Sequence, residues 1–199
     1  MQNFRSVLTT CPGVIGIFDK PSVANIKPNA LPITIIGDNI REPNNVGAVV
    51  RLANALPATK VLLPKGCADP WDVKGIRGSS GSIFHMPTED SLTWNLIDME
   101  AKTDDSTLVL IADSNVSSYV PSKVLKYDEI PEDLIAGKDI YLVIGGETHG
   151  VSDDAKIFAK ARDWRVINVP IDPTVDSLNT SNALAIILFE LRRILFKGQ

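Results

Sequence analysis

Cysteine is nearly absent from this chain. Cys11 and Cys67 are its two cysteines, 56 positions apart in 199 residues and in no CxxC or Cys/His grouping. Neither a disulfide framework nor a zinc site is indicated, and both are expected to be free thiols in a reducing compartment. Long apolar runs are missing too: no window approaches the roughly 18 uninterrupted apolar residues of a membrane span. The first residues show neither a signal-peptide apolar region nor an arginine-rich amphipathic presequence, so a soluble protein is expected. A basic excess is also lacking. A net charge of −4 and a pI near 5.2 argue against gripping nucleic acid by bulk electrostatics. No lysine-bearing P-loop and no GxGxxG after the first apolar run are present, which weakens a phosphate-binding regulatory module. No internal repeat or low-complexity tract is visible.

What remains is an ordinary globular composition, 44% hydrophobic and 22% charged, with one domain as the default. The charge is unevenly spread. Residues 41–77 carry six bases against three acids, and residues 98–133 carry nine acids against three lysines. A polyanion could dock on the first region and not on the second. Short apolar runs of strand length and β-branched content occur at 33–37, 60–64, 82–86, 107–112, 141–146 and 164–170, with helix candidates at 45–56, 72–79, 91–98, 152–161 and 180–196. Strands apolar on both faces and separated by helices predict an α/β domain, a parallel sheet with helices on both faces. Residues 1–30 fit this pattern poorly: 13–18 could be one strand, and the proline-containing stretch after it reads as the tail of a preceding module or a linker, with the main domain over 31–199. The last helix candidate, 180–196, is apolar around nearly its whole circumference, interrupted by Glu190, Arg192 and Arg193. It therefore needs neighbours on more than one side, inside the fold or in a subunit interface.

Three polar turns punctuate the pattern, and in α/β sheets ligands collect beyond the carboxyl ends of strands. In "NIREPNNVGAVVR", Pro43 stops the extended run and Asn44 or Asn45 can cap the helix that follows. Asn44, Gly47 and Arg51 share a helical face, where the missing side chain of Gly47 would leave room for a group held by the other two. In "LVIGGETHGVS", Gly145 and Gly146 let backbone approach a ligand, Glu147 is an acceptor at a strand end, and Ser152 can cap a helix. His149 is a candidate proton carrier, although a lone loop histidine is more often solvated. In "VPIDPTVDSLNTSNALA", Ser177, Asn179, Thr180 and Ser181 crowd polar groups at the entry of the apolar helix, more than one cap requires.

In this order the three turns resemble the motifs of the SPOUT superfamily, specifically its TrmH (SpoU) branch of RNA ribose 2'-O-methyltransferases. The matching residues are Asn45-Val46-Gly47 with Arg51, Gly145-Gly146-Glu147 with Gly150, and Val169-Pro170 with Ser177-Leu178-Asn179. The resemblance covers roughly residues 31–197, and the stretch 60–87 looks closest to mitochondrial large-subunit rRNA guanosine methyltransferases.

The resemblance implies a carboxyl-terminal deep trefoil knot, where general chain rules would have predicted an unthreaded sheet. It implies S-adenosylmethionine as cofactor, held near Ile144, Gly145, Gly146, Val169, Ile171 and Leu178, with no metal. It implies a homodimer through the terminal helix, an RNA substrate and, if the likeness to the mitochondrial members holds, a mitochondrial matrix location; otherwise a cytoplasmic one. Arg51, Asn45, Glu147, Ser177 and Asn179 are the catalytic candidates. A guanidinium with a pKa above about 12 is a poor base, so Arg51 is expected to clamp phosphate and stabilise a developing alkoxide. Many relatives carry an amino-terminal RNA-binding domain, of which residues 1–30 could be the end. Without it, cofactor binding with poor turnover is expected. A tRNA target, or a non-catalytic RNA-binding subunit of the same fold, are the alternatives.

Overall fold

The computed structural model describes residues 19–21, 26–147 and 150–196. Seven strands, β1 (Ile33–Asp38), β2 (Lys60–Pro64), β3 (Thr88–Leu92), β4 (Thr107–Ala112), β5 (Val124–Lys126), β6 (Asp139–Gly145) and β7 (Asp163–Asn168), form one sheet in the order β3-β2-β1-β6-β4-β7-β5. Every pairing is parallel. Among the described residues six α-helices flank it: α1 (Pro43–Ala55), α2 (Val73–Ser79), α3 (Trp94–Glu100), α4 (Glu132–Ile135), α5 (Asp153–Lys160) and α6 (Thr180–Phe196).

Alternation along the central strands divides the core in two. Ile33 and Ile35 of β1, Leu108 and Leu110 of β4, and Leu142 and Ile144 of β6 point to the face covered by α1 and α6. Ile36, Val109, Ile111, Tyr141 and Val143 point to the face covered by α3 and α5. β1 and β4 are buried along their whole length, so their continuous apolar runs could find a place only in a sheet covered on both sides. On the second face Arg162 is buried, and its guanidinium donates to the carbonyls of Phe158, Asp98 and Ala101 and to the Asp98 carboxylate at 2.8 Å. It thereby satisfies carbonyls that the end of α3 leaves without helical partners.

Two expectations are corrected, and two short elements were missed. Residues 82–86 are not a strand: Gly81 takes a left-handed φ of 81°, Ser82–Phe84 form a 3-10 turn, and His85 and Met86 both donate to the Ser82 carbonyl. Ile83 and Met86 are buried at a spacing of three, a helical period. The strand of that region is β3, whose sequence TEDSL is polar because it pairs on one side only, at the sheet edge. α1 begins at Pro43, with Glu42 in the cap position and no side-chain cap bond, so neither Asn44 nor Asn45 caps it. β5 and α4 were not anticipated, since three and four residues are too short to carry a period.

α6 resolves its all-round apolar pattern unevenly. Leu184, Ile187, Leu188, Leu191 and Ile194 are buried in the first core, whereas Phe189 is 56% and Phe196 38% exposed. Among the described residues no helix is long and apolar enough to cross a membrane. Most of the expected 1–30 extension, the suggested strand at 13–18, Cys11 and His149 lie outside the described residues.

Candidate active site

β6 is inserted between β1 and β4, although it follows both in the chain, and this places its carboxyl end at mid-sheet. A cleft opens there, floored by the ends of β4, β6 and β7 and closed by the loop after β7 and the first turns of α6. Counting the solvent-open space at its mouth it measures about 620 Å³. Ile144, Ile167, Val169, Ile171 and Leu178 give it apolar walls; Asp113, Ser114, Glu147, Ser177 and Thr180 bring polar groups to it.

At one end of the cleft the three sequence turns meet. Glu147 Oε1 accepts from Asn45 Nδ2 at 3.0 Å and from Asn179 Nδ2 at 2.6 Å. Asn179 Nδ2 also reaches Asn45 Oδ1 at 3.1 Å, and the Thr180 backbone N–H lies 3.4 Å from Glu147 Oε1. Asn179 Oδ1 accepts from the Ser181 backbone at 3.0 Å, so this residue is the cap of α6 and a member of the cluster at once. Bonds to a carboxylate are charge-assisted and stronger than neutral ones, which makes Glu147 the organising group. Ser177 lines the cleft, with no hydrogen bond among the described residues.

The glycines work differently from the expectation. A Cβ on Gly145 would stand 2.5 Å from Gly150 C, and one on Gly146 would stand 2.3 Å from the Asn39 carbonyl oxygen. The close backbone approach is therefore made to the chain's own backbone, at Gly150 and Asn39, while both glycines still line the cleft. Gly47 leaves no room for a ligand at all. Its Cβ would meet Gly75 O at 2.3 Å and Ser79 N at 2.7 Å, so the space is filled by α2.

Arg51 is not joined to the cluster. It is exposed on α1, six residues past Asn45 or about 9 Å along the axis, with no hydrogen bond or ion pair among the described residues. Two acids at strand ends escaped the sequence reading. Asp38, ending β1, accepts from the Ser152 backbone at 2.6 Å, and burial pushes its carboxyl up from 3.8. Ser152 in turn caps α5 through Ala155 N, as expected. Asp113, just past β4, accepts from the Tyr119 hydroxyl at 2.7 Å and lines the cleft. Each acid directly follows an apolar run, and that position at a strand's carboxyl end was the available signal. Cys67 donates to the Gly37 carbonyl at 3.0 Å, and burial pushes its thiol up to about 11, so it is no nucleophile at neutral pH.

A family model described as SpoU rRNA Methylase matches residues 32–189. The chain belongs to this family. Among curated relatives, the mitochondrial rRNA methyltransferase 3A of Danio rerio is 34% identical over 224 residues, covering 94% of this chain and 51% of its own. The 23S rRNA (guanosine(2553)-2'-O)-methyltransferase RlmP of Bacillus subtilis is 30% identical over 155 residues, covering 78% and 56%. The chain thus spans about half the length of the curated relatives it matches. The fold agrees with the SpoU methyltransferase AviRb from Streptomyces viridochromogenes in complex with AdoMet. That match has a TM-score of 0.68 at 22% identity, over 86% of this chain and 60% of that one.

Proposed function

We propose that the chain transfers a methyl group from S-adenosylmethionine to a ribose 2'-hydroxyl in RNA, with guanosine in large-subunit ribosomal RNA as the target. The observation that carries this is the hydrogen-bonded cluster of Asn45, Glu147 and Asn179 at the end of an apolar-walled cleft. The chemistry of the cleft's lining suits the cofactor: Ile144, Val169, Ile171 and Leu178 offer an apolar wall for a purine, and Asp113, Ser114 and the backbone of Gly145 and Gly146 offer polar partners for a ribose and an amino acid. When bound, the cofactor supplies an electrophilic methyl group.

The protein's share of the work is positioning, and letting the hydroxyl proton leave as the new C–O bond forms. Glu147, fixed through Oε1, orients the nucleotide together with Asn45, Asn179 and Ser177. Arg51 clamps an RNA phosphate outside the cleft, where its lack of a partner among the described residues leaves its donors available. The family's knotted carboxyl-terminal threading is part of this reading; the insertion of β6 between β1 and β4 supports it. So is a homodimer, supported by the exposed Phe189 and Phe196 on α6. The mitochondrial relatives support a mitochondrial location.

Calorimetry with S-adenosylmethionine against ATP tests the cofactor, and methyl transfer to unmodified ribosomal RNA, compared with tRNA, tests the substrate. Binding of ATP in place of S-adenosylmethionine would overturn the reading. Cofactor binding with no transfer to either RNA favours the non-catalytic subunit instead.

A further inference from the structure

Beside the apolar cleft lies a second, more polar one, lined by Asn39, Arg41, Glu42, Asn45, Gly146 and Glu147. The two clefts share Gly146 and Glu147. The second cleft's wall is held firmly: Asn39 adopts a left-handed φ of 54°, and Gly146 donates to the Asp38 carbonyl at 2.8 Å. Its charged groups are nevertheless unspent. Arg41 has no hydrogen bond or ion pair among the described residues, although two carboxylates line the same cleft. Among the described residues, Glu147 takes three donors on Oε1 and none on Oε2.

We infer that this cleft reads the base of the target nucleotide, with Arg41 and Glu147 selecting guanine. The inference rests on the proposal that Glu147, shared by the two clefts, orients the target nucleotide of an RNA. A phosphate is a poor occupant, because Glu42 and Glu147 outweigh the one arginine and would repel an anion. A neutral base carrying both donors and acceptors suits it better. Guanine presents O6 and N7 as paired acceptors for a guanidinium fork. Its neighbouring N1–H and N2 amino group supply donors for the free carboxylate oxygen. Adenine sets an amino donor where guanine has O6, facing an arginine that can accept nothing. Cytosine sets a single amino donor beside its N3 and O2 acceptors, and uracil parts its two carbonyl acceptors with N3–H, so neither offers guanine's two acceptors beside two donors.

The test uses the full chain, tritiated S-adenosylmethionine and unmodified ribosomal RNA, digested afterwards to nucleosides. The label is then apportioned among the four 2'-O-methylated nucleosides. In the wild type, 2'-O-methylguanosine should dominate. Arg41→Ala should lower its yield about 5- to 100-fold, with smaller losses on the other three, so that discrimination collapses. Arg41→Lys, which keeps the charge and loses the fork, should recover rate without recovering discrimination. An equal loss across all four nucleosides, no loss, or a wild-type product other than methylguanosine overturns the base-reading role. Absence of every 2'-O-methylated product in the wild type strikes the proposed activity itself, so the two failures are distinguishable. Calorimetry of Arg41→Ala with S-adenosylmethionine should show unchanged cofactor affinity, which excludes misfolding.

Discussion

Gly47→Ala separates two accounts of the first motif. The new methyl carbon would stand 2.3 Å from Gly75 O, 2.7 Å from Ser79 N and 2.9 Å from Gly78 C. Optimal heavy-atom contact lies near 3.5–4.0 Å, so the overlap exceeds about 1 Å. All three obstacles are backbone, and no rotamer change relieves them; α1 and α2 must part. Overpacking of this kind costs about 1–3 kcal/mol, and the backbone character of the three nearest atoms puts it at the upper end. Alanine returns about 1 kcal/mol of helix propensity at an interior position. The expected net loss is about 2 kcal/mol, and with a urea m-value of about 2 kcal/mol/M the unfolding midpoint should fall by about 1 M. Urea unfolding followed by circular dichroism is the assay. If Gly47 instead kept space for a ligand, stability would rise by the propensity term while activity fell. A midpoint unchanged or raised would refute the packing account.

Three further outcomes follow from named contacts. Asn179→Ala removes the cap of α6 and two bonds of the site cluster, and should cost about 1–2 kcal/mol of stability while weakening S-adenosylmethionine binding; calorimetry showing neither effect would count against the cluster. Arg162→Met strips donors from the buried carbonyls of Phe158 and Ala101 and should cost about 3 kcal/mol in urea unfolding; a loss below about 1 kcal/mol would show that water replaces it. Because burial raises the Asp38 carboxyl above 3.8, the native state holds that proton more tightly than the unfolded chain. Stability should therefore fall as pH rises through the window above 3.8. Asp38→Asn, which keeps an oxygen for Ser152 N–H, should flatten that slope, and parallel urea midpoints between about pH 3.5 and 6 would contradict it.

The parts legible in the sequence were those where one physical signal dominates. Fully buried strands such as β1 and β4 announce themselves as unbroken apolar runs, and Ser152 and Asn179 were expected among the caps because they stand at the entries of helical periods. β3 escaped because an edge strand is free to be polar. Gly47 misled for a deeper reason. A missing side chain says that something comes close, but the identity of the neighbour is set by the tertiary packing of α1 on α2. Gly145 and Gly146 carry the same ambiguity. Arg51 shares a motif with Asn45 and yet stands apart from the cluster, since six helical residues carry it along α1 away from the cleft.

The cluster itself shows why the site could be named from sequence but not drawn. Asn45 lies 102 residues from Glu147, Glu147 lies 32 from Asn179, and Asn45 lies 134 from Asn179. None of these bonds can form before β6 is seated between β1 and β4 and α6 has packed on α1. Closing the 134-residue loop costs about 1.2 kcal/mol more in chain entropy than closing the 32-residue one. A few hydrogen bonds worth about 0.5–3 kcal/mol each at a largely exposed carboxylate do not organise such closures. The buried sheet does, and the cluster rides on it. Side-chain changes at Asn45 or Glu147 should therefore touch the site far more than the fold, whereas core changes beneath β6 should abolish both together.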